Sequence, residues 1–140
     1  MWDAVLGPLI GEVVLGLLGL EPSPRQIAKQ RARGIIVAHT RSASGRVDGL
    51  KPFWESRPRW QVDAGELRRR ERVIAVVSVD EAARVPSAVE EQVIGPSMSV
   101  LTLRTRDAAI EIALSVADAA WLRARLAGEP ADYAVDLLAD

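Results

Sequence analysis

The chain has 140 residues, enough for one domain and a short appendage, and its 49% hydrophobic and 26% charged content excludes a disordered polymer. It has no cysteine, which excludes disulfides, thiolate metal sites and a cysteine nucleophile, and one histidine, His39. The net charge of -1 conceals an asymmetry: residues 25–72 carry 13 Lys/Arg against 5 Asp/Glu, and residues 73–140 carry 5 against 11. Lys29 and Lys51 are the only lysines and asparagine is absent, a bias that fits a GC-rich bacterial genome.

From Ala4 to Leu20 every residue is apolar or glycine except Pro8 and Glu12. As a helix this run spans about 25 Å, a little short of the roughly 30 Å hydrocarbon core of a bilayer. Trp2, Leu6, Leu9, Ile10, Val13, Leu17 and Leu20 share one face, the expected membrane-anchoring surface of a hydrophobic helix over 1–21. Gly7 and Gly11 have the GxxxG spacing that permits self-association in lipid. Two membrane geometries fit. A spanning helix buries Glu12 at a cost of about 2.5–3.5 kcal/mol; a helix lying in the interface turns Glu12 to water. A third reading packs the helix in a soluble core or an oligomer interface. The run lacks the basic start and small-residue cleavage site of a secretory signal.

Glu21-Pro22-Ser23-Pro24 breaks this helix. Residues 22–33 then read as a basic juxtamembrane helix or linker. Its Arg25, Lys29, Arg31 and Arg33 place the following domain on the cytoplasmic side of an inner membrane by the positive-inside rule. Each is an expected contact with anionic lipid.

From Gly34 the pattern turns to short β runs, expected to form one domain over 34–128. Ile35–Ala38 is a strand and Arg41–Gly49 a polar loop. Phe53-Trp54 and Trp60–Val62 flank a turn at Pro58. Ala64–Glu66 is a turn before a strand from Leu67. Arg72–Val79 reads as the next strand, and Ala88–Ile94 as a short one between Pro86 and Gly95-Pro96. Val100–Thr105 and Ile110–Leu114 alternate on either side of Arg106-Asp107, the mark of an antiparallel hairpin. Ser115, with Asp118 three residues on, starts a final helix that Gly128 and Pro130 close. Residues 129–140 form an acidic tail.

The stretch Gly45–Trp60, the hairpin Val100–Leu114 and the closing helix S-V-A-D-A-A-W-L-R-A-R-L carry a resemblance over about two-thirds of the chain. In order of elements the chain resembles bacterial pleckstrin-homology-like (PH-like) domains, in particular small actinobacterial membrane proteins that join one hydrophobic helix to such a domain. The resemblance implies a mainly β (α+β) fold: a split barrel of two packed antiparallel sheets with a C-terminal helix over one open end. It carries over no catalytic residue and no cofactor.

The residues offer little chemistry of their own. His39 lies near Thr40, Ser42 and Ser44 without any sign of a triad geometry, and reads as a strand-end residue. One histidine and dispersed carboxylates argue against a metal, and no phosphate-binding loop or dinucleotide fingerprint is present. Arg68, Arg69 and Arg70 are the most suggestive polar run. They read either as anionic-lipid contacts or as a solvated turn on a charge-blunted strand. Trp54, Trp60 and Trp121 read as core. The acidic net charge argues against nucleic acid. The expected function is therefore a non-enzymatic interaction or adaptor domain at the cytoplasmic membrane face, with a protein, a peptide or anionic lipid as partner. The alternative is a soluble assembly protein.

Overall fold

A computed structural model of the protein describes residues 23–129. The anchor surface from Trp2 to Leu20, the Gly7/Gly11 pair and the tail from residue 130 lie outside the described residues.

Helix α1 spans Pro24–Ala32. Ser23 caps it: its Oγ accepts from the Gln26 N–H at 3.2 Å, and Gln26 Oε1 accepts from the Ser23 N–H at 2.8 Å. Pro24 at the first helical position has no N–H to leave unsatisfied. The second proline of the expected break thus opens a helix. Gly34, at φ +80°, turns the chain into the first strand. That left-handed conformation favours glycine, and a Cβ there would also displace the ends of the Arg125 and Gln61 side chains, 2.5 Å and 2.7 Å away.

Eight strands follow: β1 Ile35–Val37, β2 Thr40–Ser44, β3 Arg59–Asp63, β4 Glu66–Arg69, β5 Arg72–Ala75, β6 Ser78–Val79, β7 Ser99–Arg104 and β8 Ala109–Leu114. Helix α2 (Ala88–Ile94) lies between β6 and β7, and α3 (Val116–Leu126) follows β8. Two four-stranded antiparallel sheets form, with strand orders β1-β3-β4-β5 and β2-β8-β7-β6.

The sheets meet at two corners. At the first, the chain bends at Ala38-His39, so that β1 pairs with β3 in one sheet and β2 pairs with β8 in the other. At the second, the Val76 N–H bonds Gly65 O at 2.9 Å, on the first-sheet side, and the next N–H, of Val77, bonds Arg104 O at 2.7 Å, in the second sheet. Between the sheets lies one core of alternating inward residues. Ile36, Trp60, Val62 and Leu67 come from the first sheet and Leu101, Leu103, Ile110 and Ile112 from the second; Trp121, Leu122 and Leu126 of α3 complete it.

Three expectations change. The polar loop expected at Arg41–Gly49 contains β2, because Thr40 and Ser42 are buried and β8 supplies backbone partners. The outer edge of β2 is occupied too, by Ser42 N to Lys51 O at 2.8 Å and Glu55 N to Thr40 O at 3.0 Å. The single strand expected over Arg72–Val79 is two strands in different sheets. Ala88–Ile94 is a helix, not a strand: Ser87 and Glu90 form a reciprocal capping box, a start signal stronger than the β propensity of three β-branched residues, Val89, Val93 and Ile94.

Strand β8 is buried along its whole length. Ile110, Ile112 and Leu114 face the main core, while Ala113 packs in a second cluster with Ile94, Val100, Trp54 and Met98. Ile112 pairs with Thr40 on one side and Leu101 on the other. Truncating it empties the centre of the second sheet. Ile112→Ala is expected to cost about 2–5 kcal/mol, read as a lower midpoint in urea denaturation.

Candidate functional site

The basic helix α1 is fixed to the domain. Arg31 points inward and is only 4% exposed. Its Nε and Nη2 donate to Asp118 Oδ1 and Oδ2 at 2.8 and 3.0 Å, and its Nη1 donates to Ile35 O at 2.9 Å. A guanidinium so committed does not face lipid, which removes Arg31 from the expected contacts. Asp118 answers a second expectation. Ser115 Oγ caps α3 by accepting from the Asp118 N–H at 3.2 Å, but the Asp118 carboxylate turns to Arg31. Arg25, Lys29 and Arg33 remain exposed.

The outer face of the first sheet brings the second basic group beside the first. In β3, Trp60 and Val62 face the core, so Arg59, Gln61 and Asp63 face outward. The register runs Ile35–Gln61–Arg68–Val73 across the four strands. Gln61 Nε2 donates to Arg33 O at 3.0 Å, so the end of α1 abuts this row. A cleft of about 410 Å³ opens here, lined by Ile35, Arg59, Trp60, Gln61, Arg68, Arg69 and Arg70. The three expected arginines therefore share one cleft, though not one environment. Arg68 pairs with Asp63 at 2.8 Å, Arg69 with Glu55 at 2.9 Å, and Arg70 sits exposed in the β4–β5 turn. Arg59 and Gln61 were not singled out in the sequence. The alternation R-W-Q-V-D, with two large apolar residues fixing the inward face, is the signal that places them.

The outer face of the second sheet carries a charge network that no sequence motif announced. Glu111, in mid-β8 and 6% exposed, accepts from Arg41 Nε and Arg84 Nε, both at 2.8 Å. Arg84 also forks onto Glu90 of α2 with two bonds of 2.7 Å, and Trp54 Nε1 donates to Glu90 at 3.1 Å. Arg41 lies over the Trp54 ring, 4.9 Å from its centre. The side-chain bonds from Arg84 hold the Glu90 carboxyl well below the usual carboxylate range. Burial pushes the Glu111 carboxyl up, but its bonds from Arg84 and Arg41 outweigh this and leave it lowered.

A second cleft, about 400 Å³, lies where β1 and β2 part, between the end of α2 and the start of α3. His39 borders it, with Met98, Ala113, Leu114 and Ser115. The ring is held by a 2.8 Å contact from Nδ1 to Glu55 O. Near this cleft Val89, Val93 and Val116 are exposed.

Among the described residues no three acidic, histidine or cysteine side chains converge as metal ligands. Among them, too, no helix is long and apolar enough to cross a membrane. Comparison of the chain with models of protein families, with curated proteins and with solved structures gave no match.

Both network carboxylates have lowered pKa values, so they stabilise the fold above the unfolded-state value of about 4.3. That stability is lost as pH falls below it. Loss of stability is therefore expected to begin near pH 4 and to deepen as pH falls toward the lowered folded-state values. In Glu111→Gln, the neutral amide leaves Arg41 and Arg84 short of an acceptor charge. Partial exposure of both arginines limits the expected loss at pH 7 to about 1–3 kcal/mol, with a shallower dependence on pH between 5 and 3. Chemical denaturation across that range reads both.

Proposed function

We propose that this chain is a membrane-anchored, non-enzymatic interaction module: a PH-like domain held at the cytoplasmic face of a bacterial inner membrane by residues 1–21. The observation that carries the reading is the Arg31–Asp118 pair, 5% and 16% exposed at its side chains. It joins the helix that directly follows the apolar run to the last helix of the domain. Such a joint suits a domain kept at a set distance from a bilayer, whereas a loose linker would suit one that ranges freely. The exposed Arg25, Lys29 and Arg33 lie next to the apolar run and suit an anionic leaflet.

The PH-like assignment draws support from the strand order. The first two strands, joined by one bend, serve the two sheets, later strands pair with antiparallel neighbours, and α3 packs against β3 and β8.

A second reading has its own observation. Val85, Val89, Val93 and Val116 are 84%, 73%, 51% and 78% exposed, apolar side chains that suit a soluble assembly in which the N-terminal helix covers a neighbour. Cell fractionation separates the two. Full-length protein is expected to stay in the membrane pellet through high-salt and alkaline carbonate washes, while a chain beginning at Ser23, which keeps the α1 cap, is released. Full-length protein that is soluble from the start, with an oligomer that is lost on removing residues 1–21, would overturn the anchor and favour the assembly.

A further inference from the structure

We propose that the acidic segment Ala131–Asp140 of this chain folds back over the outer face of the first sheet and is held there by its arginines. The contact goes beyond the reading above and needs no anchor.

The end of α3 sets the starting point. Glu129 N–H donates to Ala124 O at 2.9 Å and Gly128 N–H to Arg125 O at 3.1 Å, the two bonds of a Schellman turn, with Gly128 at φ +77°. The chain thereby leaves the helix axis, and Pro130 does not let the helix resume. Gly65 N–H donates to Leu126 O at 2.8 Å, so this exit lies beside the β3–β4 turn. From Gly65 to Arg70 a strand advances about 17 Å. Residues 131–140 reach about 33 Å when extended. The whole outer face of the hairpin is within that range.

Charge names the occupant. From Glu129 on, the sequence carries Asp132, Asp136 and Asp140 and no lysine or arginine. Arg59, Arg68, Arg69 and Arg70 line the cleft, and the exposed Arg33 abuts it through the bond from Gln61 to its carbonyl. The Arg68–Asp63 pair is 47% and 34% exposed at its side chains, so it exchanges readily for another carboxylate. Across the β4–β5 hairpin Arg69 faces Arg72, a like-charge pair that an added carboxylate relieves. Apolar groups match as well. Val73, at the end of the row Ile35–Gln61–Arg68–Val73, is 56% exposed, and Tyr133, Val135, Leu137 and Leu138 lie between the acids. The outer face of the second sheet suits the segment less, because Arg41 and Arg84 are already held by Glu111 and Glu90. Each contact is weak alone, but a short tether keeps the segment at roughly millimolar effective concentration. It thus screens the basic face from other anions.

The cysteine-free sequence makes the test clean. Ala134→Cys places a single nitroxide label in the segment, in full-length protein held in a neutral detergent. Backbone amide signals are compared with the label oxidised and reduced. Most of the signal is expected to be lost for Gln61, Arg68, Arg70 and Val73 and retained for Thr102 on the second sheet. The signal should return in concentrated sodium chloride, where the screening length falls to about 3 Å. Asp132→Asn with Asp136→Asn should restore it too, and so should Arg68→Gln with Arg70→Gly. Both arginines are exposed, so their replacement leaves the core intact. Signal loss that is absent, uniform or centred elsewhere overturns the contact, as does loss that survives both pairs of substitutions. Loss on unlabelled, isotope-enriched chains mixed with labelled ones assigns the contact to a second copy and overturns the fold-back.

Discussion

The forked ion pair between Arg31 and Asp118 is the contact on which the arrangement of the molecule turns. A guanidinium 4% exposed is tolerable only when its charge and its donors are met, since removing one partner of a buried pair costs several kcal/mol. Three elements meet Arg31: Asp118 at the start of α3, the Ile35 carbonyl on the outer edge of β1, and the Trp121 ring, 5.6 Å from the guanidinium carbon. A side chain from α1 thus ties β1 to α3. Without that side chain α1 would be an appendage; with it, the helix belongs to the domain.

The same device recurs twice. Arg41 lies over Trp54 and is held by Glu111; Arg69 lies over Trp60, 5.8 Å from its centre, and is held by Glu55. Each domain tryptophan is therefore covered by an arginine that a carboxylate keeps in place. Lysine could not do this as well, because a flat guanidinium stacks on a ring and still offers its edge to a carboxylate. This gives the arginine-rich composition of the block at 25–72 a physical role alongside any codon bias. The negative ring faces also matter inside, where the indole N–H groups of Trp60 and Trp121 are buried without a hydrogen-bond partner among the described residues. Stacking engages these rings through their faces while their polar edges go unmet.

These stacks also explain what could be read from the sequence. The hairpin Val100–Leu114 and the capped helix after Ser115 were legible because their signals are local: alternation on both sides of a turn, and a cap three residues from its donor. Strand β2 was not, since T-R-S-A-S is polar and its strand character comes from β8, some seventy positions later. Helix α2 was misread through its valines, although Ser87 and Glu90 stood at the capping spacing. For the site, Arg68–Arg70 were visible as a run and Arg59 and Gln61 were not, because only register sets them in one cleft. Arg31 looked like its neighbours Arg25, Lys29 and Arg33. What distinguishes it is Asp118, and no local pattern contains that residue.

That separation bears on how the chain is made. Asp118 follows Arg31 by 87 residues. At a synthesis rate of 5–20 residues per second, Asp118 is joined to the chain about 4–17 s after Arg31. Strand β8, which gives β2 its partner, comes almost as late. Through that interval neither the Arg31–Asp118 pair nor the second sheet can form, and α1 has only the first sheet to dock against. The fold is thus completed only when its C-terminal part has been made, and α3 then docks onto a helix synthesised many seconds earlier.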